Sequence, residues 1–137
     1  MSRKESLIKW LNLYDKFDIE DFIESELVEN DGGFALAKEP NTVEPLSFVD
    51  GSGQKSEYYT FQAKLPIVTD GSRLSHDEFF EEFEDWIFNK NLNGDLPTLD
   101  KAFCDNVAIS SSYYLQSNED KLGMYIFTIE LTFRKEI

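Results

Sequence analysis

The stretch VAISSSYYLQSNEDKLGMYIFTIELTFRK, residues 107–135, decides the fold. In its second half Tyr125, Phe127, Ile129, Leu131 and Phe133 make one apolar face, while Thr128, Glu130, Thr132 and Arg134 mark the other. That two-residue period is the mark of a half-buried strand. In the first half Val107, Ile109, Ser111 and Tyr113 alternate with Ala108, Ser110, Ser112 and Tyr114. Between them QSNEDKLG, residues 116–123, predicts a turn, so the whole reads as a long antiparallel hairpin.

Working back from the hairpin, SHDEFFEEFEDWIFNKNLNGDLPTL (residues 75–99) mixes phenylalanines and a tryptophan with many acidic residues. Periodicity assigns it to an amphipathic helix. Phe79, Phe83, Trp86 and Ile87 fall on one stripe, and Asp77, Glu78, Glu81, Glu82 and Asp85 fall mostly off it. Ser75 with Glu78 has capping-box spacing and predicts the start. Gly94 and Pro97 predict the end. The acidic residues form a solvated back and complement the helix dipole in the first turns.

Further back, Tyr59, Phe61, Ala63 and Leu65 alternate with Tyr58, Thr60, Gln62 and Lys64, a second half-buried strand. The loop over residues 50–56 precedes it, and a short strand ending at Asp50-Gly51 precedes the loop, with Pro40 and Pro45 as breaks. The segment from 23 to 38 turns at Asn30-Asp31-Gly32-Gly33. A hairpin joining Phe22–Val28 to Phe34–Lys38 fits it, and so does a helical first arm. From about Lys4 to Phe17, Leu7, Leu11 and Tyr14 recur at helical spacing beside Ile8 and Trp10. The order of elements predicts a single α+β domain over residues 1–137, mainly antiparallel, with two principal helices packed on one face and a long C-terminal β-hairpin.

Composition excludes more than it assigns. At 137 residues the chain has the length of one domain, and 41% apolar and 15% aromatic content suits a packed core. With 13 basic against 27 acidic residues the net charge is −14, which disfavours binding to phosphate backbones or anionic membranes. Such acidity serves solubility in the simplest reading. Cys104 is the only cysteine, so no intrachain disulfide forms and a reducing compartment is expected. The opening MSRKESLIKWLNLYDKF lacks a leader pattern, and no run approaches about 18 apolar residues, so a soluble cytoplasmic protein is expected.

The search for chemistry returns no catalytic, cofactor-binding or metal-ligating residues. DGSGQKS lacks phosphate-loop spacing and precedes a strand. One cysteine and one histidine cannot build a zinc site. His76 reads as an exposed first-turn residue whose pKa an acidic neighbour could raise, and Cys104 as a small residue just before a strand. The tyrosines at 58, 59, 113, 114 and 125 cannot all face the core, and those left outside suit a subunit interface.

In order along the chain, SLIKWLN (6–12), FVDGS (48–52), FEDWIFNKNLNGDLPTL (83–99) and the closing hairpin resemble a family of phage and prophage tail proteins of Gram-positive bacteria. These are labelled minor capsid, tail-completion or tail-terminator proteins. The resemblance implies a non-enzymatic structural subunit that forms a homo-oligomeric ring, commonly hexameric, at the head-proximal end of the tail. Its implied partners are the tail tube and the head–tail connector, with DNA passing through the ring. Its implied places are the host cytoplasm during assembly and then the virion. Expected working surfaces are sheet edges, the 50–56 loop and the 116–123 turn. The segment from 23 to 38 is longer and more acidic than the resemblance implies. The alternative is a small acidic prophage-encoded binding or regulatory protein that mimics nucleic acid.

Overall fold

The computed structural model describes residues 2–14, 23–24, 34–47, 53–66, 70–119 and 122–135. Its elements in chain order are helix α1 (Arg3–Leu11), strands β1 (Ile23–Glu24), β2 (Phe34–Ser47) and β3 (Gly53–Pro66), helix α2 (Asp70–Leu92), and strands β4 (Ala102–Glu119) and β5 (Leu122–Lys135). The sheet order is β1-β2-β3-β5-β4, antiparallel throughout the four long strands. Both helices lie on one face. The architecture is the α+β arrangement that the sequence predicts.

Strand β5 sits between β3 and β4 and pairs with both along nearly its whole length. Its apolar face is buried as the alternation requires: Phe127, Ile129 and Leu131 have no exposed surface. Tyr59, Phe61 and Ala63 of β3 are buried on the same side. Onto this sheet α2 lays Phe80, Phe83 and Ile87, all fully buried. The Phe83 ring lies 5.5 Å from Phe61 and 5.7 Å from Phe127, centroid to centroid. Helix α1 adds Leu7, Trp10 and Leu11 beside α2, with Trp10 and Trp86 rings 5.1 Å apart.

Several boundaries differ from the sequence expectation. Helix α1 ends at Leu11, capped by Asn12, instead of reaching Phe17. Two tightened hydrogen bonds, Leu13 N–H to Trp10 and Tyr14 N–H to Leu11, then bring Tyr14 into the core; residues 15–17 lie outside the described residues. Helix α2 begins at Asp70, so Ser75 is not its cap. A capping box requires a non-helical serine, and the residues just before Ser75 are already helical.

The expected hairpin between residues 22–28 and 34–38 is also corrected. Ile23 and Glu24 pair with Phe34 and Ala35 in parallel, a relation that a tight turn cannot produce. The Asn30–Gly33 turn signal lies outside the described residues. Pro40 and Pro45 do not break β2. The strand accommodates them within register shifts, between Lys38 and Thr42 and between Val43 and Leu46. Beyond its short pairing with β1, β2 has β3 on one side and no other strand among the described residues. Prolines are tolerated at such edges and bulges because no ladder bond is lost.

Gly53 to Ser56 belong to β3, so that part of the loop expected at 50–56 is strand, and residues 50–52 lie outside the described residues. Of the turn expected at 116–123, residues 116–119 and 122–123 are strand, and 120–121 lie outside the described residues. Glu119 pairs with Leu122, and the register continues across the sheet to Pro66. Support from β3 on the far side of β5 keeps these polar residues extended.

Candidate functional site

Along β3 the residues facing the helices run Leu65, Ala63, Phe61, Tyr59 and then Glu57. Glu57 is 2% exposed, although it is charged. Its position beside the N-terminus of α1 explains how. Ser2 caps that helix by accepting from the Glu5 N–H at 3.1 Å, which fixes where Arg3 begins. The Arg3 Nε–H and Nη2–H then donate to the two Glu57 carboxylate oxygens at 2.8 and 2.9 Å. Lys38 Nζ of β2 lies 2.9 Å from Oε2, and the Tyr59 hydroxyl donates to Oε1 at 3.0 Å. Arg3 also lies over the Phe133 ring, 4.6 Å from its centroid.

Burial penalises the Glu57 charge, but hydrogen bonds from Arg3 and Lys38 and the Arg3 charge outweigh it and hold the carboxyl down at about 2. Burial and the same carboxylate push the Tyr59 hydroxyl well above its ordinary range. The cluster borders a cavity of about 240 Å³ lined also by Ser2, Lys4 and Asp100. Every strong donor at Glu57 is already used to hold it. The arrangement fastens α1 and β2 to the sheet, and the carboxylate is spent on structure.

His76 lies in the second turn of α2, half-buried instead of exposed at a helix start. Its Nδ1 is 3.1 Å from the Tyr125 hydroxyl, and the two rings meet edge to face. Desolvation lowers its pKa, overriding the opposing effect of Asp77, so the rise that an acidic neighbour could cause does not prevail. Cys104 is within β4, not before it, and burial pushes its thiol up to about 11. That suppresses thiolate chemistry at neutral pH. Among the described residues no cluster of three or more His, Cys, Asp or Glu side chains is placed to hold a metal ion. None of the described helices is long and apolar enough to cross a membrane.

The remaining features are surfaces. On the sheet face away from the helices, Gln54 and Arg134 both donate to Asp105, and the Ser56 and Thr132 hydroxyls share a hydrogen bond at 3.0 Å. Tyr114 lies on β4 with 50% exposure, while Tyr59, Tyr113 and Tyr125 turn toward the helices and pack there. The β4 edge is covered at two points by α2. Asn91 Oδ1 accepts the Val107 N–H at 3.1 Å, and Glu84 accepts the Tyr113 N–H at 3.0 Å. Blocking outward N–H groups in this way protects an edge from random pairing.

Large apolar side chains nevertheless remain in solvent, on α2 Leu74 at 71%, Phe88 at 63% and Leu92 at 68%, and just after α1 Leu13 at 63%. At the junction of α1 and α2, Trp10 Nε1–H donates to the Asp95 carbonyl at 2.9 Å. The helix end that presents this carbonyl is a paired-hydrogen-bond cap around Gly94, whose φ is +71. Gly94 N–H reaches Asn91 and Asp95 N–H reaches Lys90.

No known family model matches the chain, and no curated protein matches it closely enough to count as a relative.

Proposed function

We propose that the chain is a non-enzymatic structural subunit of a phage or prophage tail. It acts as a tail terminator or tail-completion protein, assembling as a ring and docking to the head connector. One observation carries this. The segments that resemble that family pack into a single unit: SLIKWLN supplies Trp10, FEDWIFNKNLNGDLPTL supplies Trp86 and the Asp95 carbonyl that Trp10 contacts, and the closing hairpin supplies the sheet beneath. Motifs that are weak singly therefore specify one shared three-dimensional core. The FVDGS segment lies outside the described residues.

The exposed apolar side chains Phe88 and Leu92, one turn apart on α2, support assembly, because neighbouring exposed apolar groups mark interaction sites. The charge of −14 per chain suits a channel through which DNA slides without sticking. The same charge is what favours the second reading, a monomeric acidic protein that mimics nucleic acid. Negative-stain electron microscopy of the purified chain at high salt separates them. Closed rings with a central opening support the tail protein. Isolated single copies that capture a DNA-binding enzyme support the mimic and reject the ring.

A further inference from the structure

The helical layer carries two separate apolar features. An α-helix turns by about 100° per residue, so Trp86, which faces α1, and Phe88 point to opposite sides of α2. On the β4 flank Phe88 and Leu92, one turn apart, form an exposed knob. Between α1 and the segment that follows α2, Trp10, Leu13, Leu96 and Pro97 line a groove of about 460 Å³. Ser6 lines it too, only 5% exposed, and its hydroxyl oxygen has no hydrogen-bond partner among the described residues.

Charge selects the occupant. Lys9 lines the groove and makes no ion pair among the described residues. Of the groove's carboxylates, Asp95 is already bridged to Lys90 at 2.8 Å, and Asp100 has interactions of its own. Beside the knob, Glu81 and Asp85 are exposed, and neither has a cationic partner among the described residues.

We infer that Phe88 and Leu92 of one copy seat in the groove between Trp10, Leu13 and Pro97 of the next copy, with Glu81 and Asp85 facing Lys9. Knob and groove are different patches, so the contact is heterologous and its repetition closes a ring or extends a filament. The inference rests on the self-assembly proposed above and adds which surfaces make it.

The test uses two variants at exposed positions, Phe88→Asp for the knob and Leu13→Asp for the groove, with circular dichroism and thermal unfolding to show that each folds. Sedimentation velocity at high salt then compares them with the wild type. Each variant alone is expected to weaken self-association by at least about tenfold. An equimolar mixture is expected to give a discrete heterodimer, because the intact knob of L13D meets the intact groove of F88D. Oxidation of L13C/F88C in a C104S background is expected to give a ladder of linked copies.

If the wild type assembles and both variants assemble equally well, the knob and groove are wrong while self-assembly stands. Loss in both variants with no heterodimer on mixing overturns the pairing of these two patches. A wild type that stays monomeric at every concentration and salt overturns both the contact and the assembly.

Discussion

Glu57 occupies a phase of β3 that its neighbours give to hydrophobic side chains. Replacing it by glutamine keeps the shape but leaves Arg3 and Lys38 facing a neutral group. Breaking a buried pair from one side costs about 3–5 kcal/mol, and less where a partner reaches solvent, as Arg3 and Lys38 do. Urea unfolding at pH 7 should therefore show E57Q destabilised by roughly 2–4 kcal/mol. The sign of the pH dependence follows from the carboxyl's fall from 4.5 unfolded to about 2 folded. Its contribution is complete above pH 4.5 and is lost as pH drops toward 2, so the gap between wild type and E57Q should close over that interval. A gap that persists unchanged at pH 2 contradicts the ion-pair account. His76 behaves in the opposite sense from a paired histidine. Because burial lowers its folded pKa, protonation is disfavoured in the folded chain, and stability falls as pH drops below about 6.5. As the chain has one histidine, a single imidazole titration by NMR reads it directly, and a midpoint at or above 6.5 refutes the burial.

At the scale of the element, α2 shows how narrow the buried stripe is. Phe83→Ala removes a ring from the centre of the aromatic cluster and should cost about 3–5 kcal/mol in denaturant unfolding. Phe88→Ser, little more than a turn away and in solvent, should stay within about 0.5 kcal/mol. Equal losses would mean that the stripe is misplaced. Gly94→Ala tests the helix end. The added methyl meets nothing within 4 Å, but the φ of +71 is strained for any side chain, so a loss of about 1–2 kcal/mol is expected.

Much of this was legible in the sequence because alternation and helical spacing report which face is buried. Tyr59 to Leu65, Tyr125 to Phe133 and Phe79 to Ile87 all pack as their periods require, with Phe80 as an unforeseen addition to the stripe. Cap and turn signals misled because they are local. Ser2-Glu5 and Ser75-Glu78 have the same spacing, yet only the first begins a helix. Pro40 and Pro45 signalled breaks, but an edge strand has no lost partner to penalise them. Glu57 was readable in principle, since it shares the phase of Tyr59, Phe61 and Ala63. Its partners Arg3 and Lys38 come from distant segments, and periodicity says nothing about those.

For the molecule as a whole, one face of the sheet is covered by two helices, and α2 keeps Leu74, Phe88 and Leu92 in solvent, with Leu13 exposed just after α1. A chain of −14 charge repels its own copies, so any association through these residues strengthens when salt shortens the screening length to about 3 Å at 1 M. That salt dependence is opposite to what an acidic protein shows toward a basic partner, which it releases as salt rises. Mass in solution, measured by light scattering across protein concentration at low and high salt, tests the central claim most directly. The account predicts a discrete closed oligomer that salt favours, a hexamer being what the resemblance implies. A monomer throughout the whole range would contradict it.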